Sequence, residues 1–229
     1  MVQTYTTQQR KKINKFCTKL VFDYCKKLRM SQTITYVILN VYYDKQISLL
    51  SQNITYLYID TKYYFPKLPS NIKYLILTNE PKHKITLPYS VTHLSINSNM
   101  FKLQLHTNVT HLEFQFAFNQ FVIIPYHITH LTFGGYFNQQ ITLPQNITHL
   151  TFGEQFNQKI IIPLNVTHLT FGAEFNQKII IPFNVTHLTF GAEFNQKIAY
   201  SNKITHLTFG CQRHSVFFEK KSDIILINT

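Results

Sequence analysis

From about residue 90 the chain repeats one pattern of apolar and polar positions: apolar-x-x-Leu-x-Phe, then Gly-x-x-Phe-Asn-Gln, then Ile-x-Ile-Pro. Anchored on the Leu of each His-Leu pair, the copies fall at Leu94, Leu112, Leu131, Leu150, Leu169, Leu188 and Leu207, 18 or 19 residues apart. Weaker copies extend the register back through Leu75, Leu57 and Val37 and forward to Leu226. Residues 166–179 recur letter for letter as residues 185–198. One 19-residue unit cannot close a core alone. Stacked units can, because each buries its neighbour's Leu and Phe.

Within the unit, "HLTF" alternates polar and apolar and is rich in β-branched and aromatic residues, which predicts a short strand. A second apolar pair, such as Ile160/Ile162, Ile179/Ile181 or Val122/Ile124, predicts another extended segment that ends at Pro125, Pro144, Pro163 or Pro182. Two extended segments and their turns leave little room for a helix. The expected fold is mainly β: a solenoid of about 19-residue coils with parallel sheets, degenerate over 32–90 and regular over 91–210, with residues 211–229 as a C-terminal cap coil. Over residues 1–31 the spacing changes. Ile13, Phe16, Cys17, Leu20, Val21, Tyr24, Cys25 and Leu28 recur at helical intervals, which predicts a basic amphipathic helix capping the open end of the stack.

Composition sharpens this reading. The chain has 229 residues, 45% hydrophobic and 15% aromatic, enough for a substantial core. No apolar run is long enough to span a membrane, and the first residues lack the apolar segment of a secretory signal. Cys17, Cys25 and Cys211 form no CxxC pair and read as reduced thiols of a cytoplasmic protein. The formal charge of +12 is uneven. Residues 1–30 hold Arg10, Lys11, Lys12, Lys15, Lys19, Lys26, Lys27 and Arg29 against Asp23, a net +7, whereas residues 91–210 carry a net +1. That basic patch is the candidate contact for nucleic acid or an acidic surface. Asn53, Asn108, Asn146, Asn165 and Asn184 stand in N-x-T sequons, all at one position of the unit, and read as a by-product of the repeat.

The polar positions of the strand form two rows. His93, His111, His130, His149, His168, His187 and His206 precede each anchor Leu; Thr132, Thr151, Thr170, Thr189 and Thr208 follow it. Alternation turns both rows away from the core, with rings expected about 4.8 Å apart. These residues are the candidate binding face, and stacking of neutral imidazoles is its structural role. Parallel rings do not converge on one point, so no metal site is expected. The glycines form no phosphate-binding motif, and no Asp accompanies the histidines to orient a base, so neither catalytic residues nor a cofactor site is assigned.

These residues carry a resemblance. The strand frame is similar to a leucine-rich repeat. "VTHLTFGAEFNQKI" with its later Ile-Pro resembles the FNIP repeat, a leucine-rich-repeat-like unit of amoebae and the giant viruses that infect them. The resemblance is strong over residues 91–210 and weaker over residues 34–87. It implies a right-handed solenoid and a non-catalytic scaffold for protein–protein interaction, in host cytoplasm if the protein is viral. The Asn that common leucine-rich repeats place inside the turn is shifted here to Asn119, Asn138, Asn157, Asn176 and Asn195. Viral relatives often begin with an F-box, which would imply a ubiquitin-ligase adaptor, but the Leu-Pro opening of that module is not seen here. Self-association of near-identical coils is the remaining alternative.

Overall fold

The computed structural model describes residues 2–5, 19–22, 32–39, 50–59, 68–79, 85–97, 105–199, 201–210 and 225–228. The chain divides into two compact units, residues 1–109 and 110–229. The first holds strands β1 (Val2–Tyr5), β2 (Lys19–Phe22), β3 (Tyr36–Leu39), β4 (Tyr56–Ile59), β5 (Tyr74–Leu77) and β6 (His93–Ile96). The second holds β7 (His111–Phe114), β8 (His130–Phe133), β9 (His149–Thr151), β10 (His168–Thr170), β11 (His187–Phe190), β12 (His206–Phe209) and β13 (Ile225–Asn228). Within each unit every strand pairs in parallel with the next in sequence. Leu169 stands opposite both Leu150 and Leu188, so letters 19 apart become neighbours in one column.

The core follows the alternation. In β8, β11 and β12 Leu and Phe are buried and the residues that alternate with them half-buried. In the second unit two phenylalanine columns run through the stack. Phe133, Phe152, Phe171 and Phe190 stack on one another at 5.5–5.6 Å between ring centroids. Phe137, Phe156, Phe175 and Phe194 do so at 6.0–6.1 Å. Within one coil the two columns touch: Phe152 and Phe156 lie 3.8 Å apart. Each buried Phe contributes about 1.5–3 kcal/mol, more than the ~1 kcal/mol of a side-chain hydrogen bond. Packing therefore holds the stack, and hydrogen bonds set its register.

Glycine is required where coils approach most closely. A Cβ on Gly153 would collide with the Gly134 carbonyl, and one on Gly172 with the Gly153 carbonyl. Asparagine closes the following turn. Asn138 Oδ1 accepts from the Asn157 backbone N–H and from Gln158 Nε2, both at 3.0 Å. Asn157 Oδ1 does the same for Asn176 and Gln177. The displaced Asn positions thus form a ladder of their own, half-buried at its centre.

Two expectations are corrected. The predicted N-terminal cap helix is not what its described residues form. Lys19–Phe22 is a strand in register with β3, Leu20 opposite Val37, and Val2–Tyr5 pairs with it in turn. The run "KLVF" satisfies both helical spacing and strand alternation, and pairing with the otherwise open edge of β3 decides between them. The rest of residues 1–31, with Arg10, Lys11, Lys12, Lys15, Lys26, Lys27 and Arg29, lies outside the described residues, so of the basic patch only Lys19 is placed, on β2. Second, among the described residues the other extended segment forms no sheet. Residues 159–162 and 178–181 make no backbone–backbone hydrogen bonds with described residues and are held by burial of Ile162, Pro163, Ile181 and Pro182. Proline ends each segment without an N–H to donate.

Candidate binding face

The histidine row forms as the alternation requires. His111, His130, His149, His168, His187 and His206 stack at 3.9–4.2 Å with interplanar angles of 8–17°. All are half-buried, as are Thr132, Thr151, Thr170, Thr189 and Thr208 on the other side of the anchor Leu; Glu113 is the exposed member of that row. The rings sit closer than the ~4.8 Å strand repeat, because they lean onto one another.

A second threonine, two positions before the anchor, fixes each ring. Thr148 Oγ1 lies 3.0 Å from His149 Nδ1, and Thr129, Thr167, Thr186 and Thr205 hold their histidines at 2.9 Å. The same hydroxyls lie 3.2–3.3 Å from the Thr carbonyl of the preceding coil. That carbonyl already accepts two backbone N–H groups: Thr129 O takes those of Thr148 and His149. A carbonyl can only accept, so each hydroxyl donates its one proton to the carbonyl of the preceding coil and accepts from the Nδ1–H of its own histidine. The imidazole proton then resides on Nδ1, which leaves a row of Nε2 acceptors beside a row of threonine hydroxyls.

Burial lowers the pKa of His130, His149, His168 and His187 below 6.5, and charge on nearby histidines of the row lowers it further. Desolvation is the larger cause and repulsion along the row the smaller. At neutral pH these rings are uncharged.

The column has a counterpart in the first unit. Tyr36 and Tyr56 stack at 3.9 Å, Tyr74 lies 4.2 Å from His93, and Lys19 Nζ sits 4.4 Å above the Tyr36 ring. These tyrosines occupy the slot before the anchor, as histidine does later. Sequence reasoning missed them because it followed residue identity, whereas the slot demands only a flat ring. Lys19, assigned to a basic helix face, packs on this aromatic column instead.

The sequon asparagines also belong to the stacking. Nδ2 of Asn108, Asn165 and Asn184 donates to carbonyls of the preceding coil, those of Tyr89, Gln145 and Leu164, at 2.7–3.0 Å. Asn53 makes the equivalent bond to Gln32 at 2.6 Å. The N-x-T pattern is therefore a pair of ties between coils, one through Asn and one through Thr. Among the described residues no group of three or more His, Cys, Asp or Glu side chains could hold a metal ion. The face can hydrogen-bond and stack.

A family model described as the FNIP Repeat matches residues 118–155, 137–174, 156–183 and 175–212. A comparison with curated proteins found no match. Among solved structures, the crystal structure of CroV588, a novel circular LRR (leucine-rich-repeat) protein from a giant virus, is similar at 27% identity with a TM-score of 0.67. The match covers 95% of this chain and 44% of CroV588, so the chain spans less than half the length of that protein.

Proposed function

We propose that this chain, an FNIP repeat-containing protein, is a non-catalytic scaffold whose histidine–threonine face binds a partner protein. The observation that carries the reading is the ordered row of stacked imidazoles on the strands of the second unit. Stacked imidazoles held by threonine need no further ordering on binding, so little side-chain entropy is lost when a partner docks. Imidazole Nε2 acceptors and threonine hydroxyls at regular spacing suit a partner that offers N–H and O–H donors. Similarity to a giant-virus protein supports a viral role in host cytoplasm.

The test is cross-linking and affinity capture from host cells with the native chain and with Thr151→Arg/Thr170→Arg, which adds bulk and charge to the face without touching the core. Recovery of a defined partner by the native chain alone is expected. Equal recovery by both proteins overturns the reading. A second reading rests on the net +7 of residues 1–30: contact with nucleic acid. In that case affinity falls steeply with salt, and removal of residues 1–30 abolishes it while the threonine variant binds normally.

A further inference from the structure

The second extended segment of each coil carries side chains that the fold does not use. In residues 159–162 and 178–181 alternate positions turn outward: Ile161 and Ile180 are each 89% exposed, while Ile162 and Ile181 are buried. Three residues on, Leu164 and Phe183 are 69% and 59% exposed. Two residues before each exposed Ile stand Lys159 and Lys178, also exposed, with Lys197 at the same place in the next coil. Equal offsets in successive coils set these side chains in rows, giving an apolar strip bordered by lysines.

Packing does not demand apolar residues here. Thr142 and Gln145 fill the same two slots one coil earlier, and both are exposed. The slots accept polar side chains, yet two consecutive coils fill them with Ile, Leu and Phe, whose exposure costs solubility. Lys159, Lys178 and Lys197 form no hydrogen bond or ion pair among the described residues. Lys203 adds a cation at the strip's end, its Nζ 4.4 Å from the centre of the Phe183 ring.

We propose that this strip docks an acidic amphipathic segment of a partner protein, in which carboxylates face the lysine row and apolar side chains cover Ile161, Ile180, Leu164 and Phe183. Charge complementarity selects this occupant. A second copy meeting this strip with its own would bring lysines against lysines. An anionic lipid surface also complements lysine. However, among the described residues the backbone of residues 159–162 and 178–181 makes no backbone–backbone hydrogen bonds, and hydrocarbon cannot satisfy such groups. A peptide supplies both donors and acceptors.

The experiment selects peptides from a random display library on the full chain at low salt and measures the enriched sequences by fluorescence anisotropy. Enriched peptides are expected to be acidic with interspersed Leu, Ile or Phe. Their affinity should fall roughly tenfold or more in Ile161→Ser/Ile180→Ser, and fall likewise in Lys159→Glu/Lys178→Glu or on raising the salt. Circular dichroism verifies that each variant is folded. Thr151→Arg/Thr170→Arg should leave peptide affinity unchanged, which separates this strip from the histidine–threonine face. Enrichment of neutral or basic peptides, or equal affinity in the strip variants, overturns the proposal. So does sedimentation with phosphatidylserine vesicles that depends on Ile161 and Ile180 while no peptide is enriched.

Discussion

Thr148 and His149 show how much chemistry two adjacent residues settle. With the hydroxyl donating to the carbonyl of the preceding coil, the ring must carry its proton on Nδ1, and ¹⁵N-resolved NMR above pH 7 should find that tautomer for His130, His149, His168 and His187. A majority of Nε2–H forms would reverse the assigned hydrogen bonds and turn the outer edge of the face into donors. The same residues set a pH response. Their folded pKa values are lowered from 6.5, so below about pH 6.5 the unfolded chain binds more protons than the folded one. Their contribution to stability is complete above that pH and is lost as pH falls through the lowered values. Urea midpoints should hold steady from pH 8 to 7 and decline toward pH 5, and His149→Gln/His168→Gln should flatten the decline. The rings are half-exposed, so solvent screening keeps each contribution small.

At the scale of the element, strand and turn are fixed by different residues of the repeat. Gly172 passes so near the Gly153 carbonyl that Gly172→Ala should destabilise the second unit by about 1–3 kcal/mol, the range for forced overpacking. Gly210 has its nearest neighbour, the Ala192 backbone N, at 3.0 Å from an added Cβ, so Gly210→Ala should cost less. Thermal melts of the two variants make the comparison, and equal losses would show that coil spacing yields to accommodate a methyl group. In the turn, Asn157→Ala removes the acceptor of both the Asn176 N–H and Gln177 Nε2. About 1–2 kcal/mol should be lost, because the donors are half-buried and only partly recovered by water.

At the scale of the whole molecule, near-identical coils make the array modular. Stability in such stacks is approximately a sum of unit and nearest-neighbour terms. Excision of residues 166–184 joins Asn165 to Val185 and preserves the N-x-T ties, the phenylalanine columns and the register. That protein should melt cooperatively at a somewhat lower temperature, as followed by circular dichroism. Excision of residues 166–174 moves every later Leu out of its column and should abolish the cooperative melt. If the two deletions behave alike, register does not hold the fold.

Much was legible in the letters. A 19-residue period with Leu, Phe and Gly at constant offsets specified coils, strand, core columns and an outward histidine row, because a repeated unit has only its own copies to pack against. The Tyr36–Tyr56 stack was equally present but written in another residue. Tertiary structure decided the remainder. Lys19–Phe22 satisfies two periodicities, and only the open edge of β3 selects the strand. Residues 159–162 look like β-structure, yet without bonds to adjacent coils they form no sheet and leave Ile161 in water. Local pattern determines which side chains a segment would bury; which neighbour is there to receive them is a property of the folded chain.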